Sequence, residues 1–145
     1  MKKQVVTIHG GDVHNSHAEY IRELKASTFD LEDLLNIPVT KGWKDNLQAG
    51  LGDEYEVLSP EMPNWMNATY EEWEIWFEKL FPFLRDGAVF IGHSLGSIFL
   101  AQYFATNPDK KKPRVGVLVA APYRETSAKD KLADFALPAD LSRLE

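Results

Sequence analysis

The sequence predicts an α/β fold built on a doubly wound, mainly parallel sheet, and three observations lead to it. Short strand-like runs (Val5–Ile8, Tyr55–Leu58, Ala88–Ile91, Val115–Ala120) alternate with segments of helical spacing, which implies parallel pairing through right-handed crossovers. The third and fourth runs are apolar without alternation, the pattern of strands covered on both faces. Finally, Gly92-His93-Ser94-Leu95-Gly96 sits between the third run and a helical pattern, a strand–turn–helix junction. The expected spatial order of the strands is second, first, third, fourth.

The elements follow in order. Val5-Val6-Thr7-Ile8 is a β-branched run stopped by His9-Gly10-Gly11, which reads as a buried strand entering a tight loop. Ala18, Ile21 and Leu24 give the stretch from His17 to Lys25 helical spacing. Between residues 26 and 53 the pattern is ambiguous: Phe29, Leu31, Leu34 and Leu35 suggest one helical turn, Ile37-Pro38 ends it, and Trp43 to Leu51 suggests another. Tyr55–Leu58 alternates and stops at Ser59-Pro60, and Glu61 to Asn67 reads as a loop. The clearest helix runs from Thr69 to Leu84, with Trp73, Trp76, Phe77, Leu80 and Leu84 on an apolar stripe that reads as core. Thr69 and Glu72 form a candidate capping box, and Pro82 shortens or kinks the last turn. Asp86-Gly87 turns into the third strand. Leu95 to Thr106 is helical and Asn107-Pro108 ends it. After the fourth strand, Pro122 stops the run, and a further helix is expected near Lys129 to Phe135.

The chain has 145 residues, which reads as a single domain spanning 1–145. Lysine plus arginine total 16 against 22 aspartates and glutamates, a net charge of −6. Lys110-Lys111-Lys112 is the one basic cluster and reads as a solvated helix end rather than a nucleic-acid footprint. There are no cysteines, which excludes disulfides and thiolate chemistry. No signal peptide and no membrane-length apolar run is evident, so the expectation is a cytoplasmic protein without a membrane or nucleic-acid partner.

The pentapeptide carries the chemistry. A serine at an abrupt strand-to-helix bend leaves room only for small residues two before and two after it, and this chain has Gly92 and Gly96 there. The bend also places Ser94 at a helix N-terminus, where unpaired N–H groups and the dipole favour an oxyanion. The Leu95 N–H is the natural first donor and the His9-Gly10-Gly11 loop supplies the second. The pentapeptide alone is unspecific; the flanking strand, the helix start and the upstream Ile-His-Gly-Gly strand end are what make it selective. Trp65 and Met66, beyond the end of the second strand, are candidate pocket residues, because ligands of open α/β sheets bind there.

The four histidines are His9, His14, His17 and His93, so none follows Ser94. His93 reads as a packing and hydrogen-bonding residue, and His9 and Gly10 as shapers of the oxyanion loop. His14 and His17 lie in or after that loop, where they read as surface or N-cap residues; a base must come within about 3 Å of the serine hydroxyl. Beyond Asp12 no carboxylate stands at ligand spacing to these histidines, so no metal is expected.

Ile8-His9-Gly10, the Pro60-x-x-Pro63 loop before a Trp-rich helix, Phe90-Ile91-Gly92-His93-Ser94-Leu95-Gly96-Ser97 and Val117-Leu118-Val119-Ala120-Ala121-Pro122 follow one another here. In this the chain resembles the small α/β-hydrolase-fold serine hydrolases of the retinoblastoma-binding-protein-nine type, bacterial relatives included. The resemblance spans most of residues 4–122 and is weakest at 26–53. It implies a nearly lidless hydrolase with a Ser-Asp-His triad, no metal and no organic cofactor. Ser94 matches the nucleophile, and Gly11 and Leu95 match the oxyanion positions. In that family the acid ends the strand after the one matching Val115–Ala120, and the histidine comes later still. Asp130, Asp134 and Asp140 belong to the connection before that strand, and none is carried over as the triad acid.

The resulting expectation is a serine hydrolase lineage acting on small ester or acyl substrates. Its C-terminal βα units would be missing here, so that activity is weak or nil. A non-catalytic binding domain on the same scaffold is the alternative. An apolar fourth strand at a sheet edge is an aggregation hazard, so the expectation is that more chain once followed it, that residues 123–145 fold over it, or that another subunit pairs with the 115–120 edge, the first being favoured.

Overall fold

The computed structural model describes residues 1–31, 42–110, 113–122, 132–137, 139 and 142. The turn expected at Leu34 and Leu35 and the first three residues of the helix expected from Lys129 to Phe135 lie outside the described residues. Four strands, β1 (Lys3–Ile8), β2 (Tyr55–Leu58), β3 (Val89–His93) and β4 (Val115–Val119), form one described sheet in the order β2-β1-β3-β4. All three pairings are parallel, so the chain is an α/β protein with the predicted topology. Four described helices, α1 (His17–Ala26), α2 (Trp43–Leu51), α3 (Tyr70–Glu78) and α4 (Leu95–Thr106), flank it. None is long and apolar enough to cross a membrane.

β1 lies between two partners and is buried from Gln4 to Ile8. Its polar residues are matched rather than stranded. Gln4 bonds the Glu56 carboxylate, the Phe83 carbonyl and the Arg85 N–H, and Thr7 donates to Ser59 Oγ at 2.7 Å. Burial of such groups is cheap only when every donor and acceptor is paired. α4 is apolar all round and buries ten of its twelve residues, the mark of a helix enclosed by the core rather than lying on it. Phe77 meets Phe81, Phe90, Phe99 and Tyr103 edge-on, a geometry that aromatic quadrupoles favour.

Several expectations change. The helix from Thr69 stops at Glu78, and Phe81–Phe83 forms a separate tight turn. Pro82 explains the stop, since its ring clashes with the carbonyl four residues earlier, which is that of Glu78. Thr69 does cap the helix, its hydroxyl accepting from the Glu72 N–H, but the Glu72 carboxylate accepts from Asn64 Nδ2 instead of closing a capping box. On the same helix Trp73 and Phe77 are fully buried whereas Trp76 is 44 % exposed, so the aromatic stripe is only partly core.

A further change is β4. It is exposed along most of its length, with Val115 at 48 % and Leu118 at 46 %, against the expectation of cover on both faces. It pairs with β3 alone among the described strands. Residues 132–137 dock elsewhere: Leu132 and Phe135 enter the core, Asp134 accepts from the Tyr70 N–H, and the Ala136 N–H donates to Gln102. In the stretch expected to be helical, Leu132 to Phe135 makes a turn, with Ala133 at φ 48°.

Candidate active site

The junction of β3 and α4 makes the bend that the sequence predicts. His93 ends the strand, Leu95 begins the helix, and Ser94 between them has φ 51° and ψ −121°. A non-glycine residue in that region stores about 1–3 kcal/mol and persists only where its surroundings hold it. The restraints are visible. The Val119 carbonyl accepts from both the Ser94 N–H at 2.9 Å and Ser97 Oγ at 3.0 Å, and the Ser94 carbonyl accepts from the Ser97 N–H.

Gly92 and Gly96 occupy positions where a side chain has no room. A Cβ on Gly92 would lie 2.6 Å from the Gly96 carbonyl oxygen and 2.7 Å from the Ser97 nitrogen. A Cβ on Gly96 would run into the Ile8 and His9 carbonyls. The elbow is thus wedged against the end of β1. Gly10 and Gly11 complete the wedge: a Cβ on Gly10 would stand 3.2 Å from Ser94 Cβ, and one on Gly11 2.8 Å from the Trp65 carbonyl and 3.3 Å from Leu95 Cδ2.

Two backbone donors are unengaged here. Among the described residues neither the Leu95 nor the Gly11 N–H has an acceptor. The next donor along the loop, the Asp12 N–H, is taken by the Trp65 carbonyl at 2.7 Å. Ser94 Oγ itself makes no capping bond and has no partner among the described residues.

His9 is committed to structure. Its Nε2 accepts from the Met62 N–H at 2.8 Å, which fixes the proton on Nδ1, where it donates to the Gly10 carbonyl. Met62 is thereby drawn into the core at 1 % exposure, and the His9 ring meets Trp73 edge-on. His14 is held 3.0 Å from both Asn67 Oδ1 and the Glu23 carboxylate, at the start of α1. His17 stacks at a tilt on Tyr20. Among the described residues no three histidine, aspartate or glutamate side chains gather as metal ligands do.

His93 behaves differently from the expectation. Its Nδ1 is buried with no hydrogen-bond partner among the described residues, and its ring meets Trp43 of α2 edge-on at 6.2 Å. Burial, and then the charge of Lys44, pushes its pKa below the ordinary histidine value.

Two cavities open around Trp65, and the smaller of them reaches the elbow. One of about 400 Å³ is lined by His9, Gly10, Lys44, Glu61, Trp65 and His93. A larger one of about 760 Å³ has Trp65, Met66, Trp76 and Tyr20 on its wall. Trp65 lines both spaces, whereas Met66 lines only the larger one, whose wall includes no residue of the elbow. That reading missed Val119, Ser97 and Lys44. Ser97 follows the pentapeptide directly and was within reach, whereas a carbonyl acceptor and a lysine from a distant helix leave no local pattern.

No family model matches the chain, and neither a curated protein nor a solved structure matches it.

Proposed function

We propose that the chain carries the nucleophile and oxyanion donors of a serine hydrolase acting on small ester or acyl substrates. The observation that supports this best is the backbone of Ser94 at φ 51° and ψ −121°, a strained bend retained on a serine with a free hydroxyl. Strain of this kind concentrates at active sites, where it presents a group that relaxed backbone would turn away. In the proposed step Ser94 Oγ attacks the substrate carbonyl while its proton passes to water; collapse of the tetrahedral intermediate breaks the ester C–O bond, the departing alkoxide takes a proton from water, and water then hydrolyses the acyl-serine. The Leu95 and Gly11 N–H groups receive the oxygen as it gains charge, and one such donor is worth about 3 kcal/mol in transition states of this kind.

The general base is the weak point of the step. His9 and His14 each have both ring nitrogens engaged, so neither is free to take the Ser94 proton. Attack is accordingly slow, resting on the oxyanion donors and on binding. The motifs shared with small hydrolases of the retinoblastoma-binding-protein-nine type support the same lineage, and the reading requires no metal and no organic cofactor.

Prolonged incubation with a fluorophosphonate, followed by peptide mass spectrometry, tests the proposal. Slow labelling at Ser94 is expected, faster than in the denatured chain and absent in Ser94→Ala. Labelling no faster than in the denatured chain rejects it. That outcome favours the second reading, a non-catalytic binding domain, which the engagement of His9 and His14 also supports.

A further inference from the structure

The cavity of about 400 Å³ presents hydrogen-bond donors that no described residue uses. His93 is the key to this. Its Nδ1 is buried and unpartnered. A neutral imidazole protonated there would bury an unsatisfied N–H, whereas the unprotonated nitrogen leaves only a lone pair without a donor, the cheaper arrangement. The proton is therefore on Nε2. That atom has no partner among the described residues and is not among the buried unsatisfied atoms, so it is the solvent-reachable nitrogen of the ring.

Lys44 adds a charge to the same wall. It is half-buried in the first turn of α2, brought to the elbow by the contact of its neighbour Trp43 with His93. Among the described residues no carboxylate lies within ion-pair distance of its ammonium. Its field adds to that of the α2 N-terminus. Glu61, the acidic residue of the lining, is exposed, so water screens it. Trp65 supplies an apolar face. Gly10 joins this cavity to the nucleophile, because one side of it faces both Ser94 Cβ and His93.

We propose that this cavity is a carboxylate-recognising subsite, in which Lys44 and the His93 Nε2–H select esters that bear a carboxylate a few bonds from the carbonyl offered to Ser94. This names the substrate class of the hydrolase reading and rests on it, but binding is measured without any covalent step. The test is calorimetric titration of the full chain with monomethyl succinate and with methyl butyrate, its uncharged counterpart. Monomethyl succinate is expected to bind about tenfold tighter, the worth of one charged hydrogen bond. Lys44→Met is expected to erase that preference and Lys44→Arg to keep most of it. Equal affinity for the two esters, no heat with either, or an undiminished preference in Lys44→Met overturns the subsite. Absence of Ser94 labelling bears on the nucleophile alone, so the two proposals fail separately.

Discussion

Gly92 and Gly116 lie in adjacent parallel strands, Gly92 opposite Leu118 and Gly116 opposite Phe90, yet their surroundings differ completely. A side chain on Gly92 would strike the Gly96 carbonyl and the Ser97 backbone, whereas one on Gly116 would meet nothing within 4 Å. The first glycine is required by a close backbone approach; the second merely weakens an exposed strand. The same contrast runs through the two regions as wholes. The elbow is buried, wedged against β1 and holds a strained serine, while β4 is relaxed and open to solvent except where its last carbonyl grips that elbow. Glycine, then, marks a site only where something else occupies the space of its missing side chain.

The sharpest way to break this comparison is Gly92→Ala. Overpacking against backbone, which cannot rotate away, is expected to cost about 3 kcal/mol in urea denaturation; a loss near zero would mean that the elbow can relax. Ser94→Gly should move the other way. Glycine accepts the positive φ without strain, so the variant is expected to gain about 1 kcal/mol while losing fluorophosphonate labelling, stability exchanged for reactivity at one position. Gly116→Ala sharpens the other side, with a gain of about 0.5 kcal/mol expected from reduced backbone entropy in the unfolded chain.

The smallest effect concerns pH. Burial first, then Lys44, holds His93 below its ordinary value of 6.5, so as pH falls the unfolded chain takes up this proton before the folded one. The stability tied to His93 is full above that ordinary value and declines as pH drops through it toward the folded value. His93→Gln is expected to flatten this part of the stability–pH curve, measured by denaturation at a series of pH values. An unchanged curve would place the ring in water.

Most of the fold was legible. The strand runs, their order and the bend at Ser94 follow from short-range patterns, and Gly92, Gly96 and the Thr69 cap were found because each acts within a few residues of itself. The end of α3 was half-legible: Pro82 announced a stop, but only the rule that its ring clashes four residues back puts that stop at Glu78. The exposure of β4 was misread, since an apolar run says what a strand can tolerate and not what covers it. Trp76 was misread for a related reason, because helical spacing marks a face without fixing its width.

At the site, the sequence by itself determined the bend at Ser94, the glycines that make room for it and the loop that faces it, because steric limits on a tight bend admit few residue types. Tertiary structure alone decided which way the histidines are spent: His9 on Met62, His14 on Asn67 and Glu23, and His93 left with a buried, unpartnered nitrogen beside Lys44. Those partners come from segments far apart in the chain, and a hydrogen bond across such a distance is set by how whole elements pack, which no local pattern of residues records.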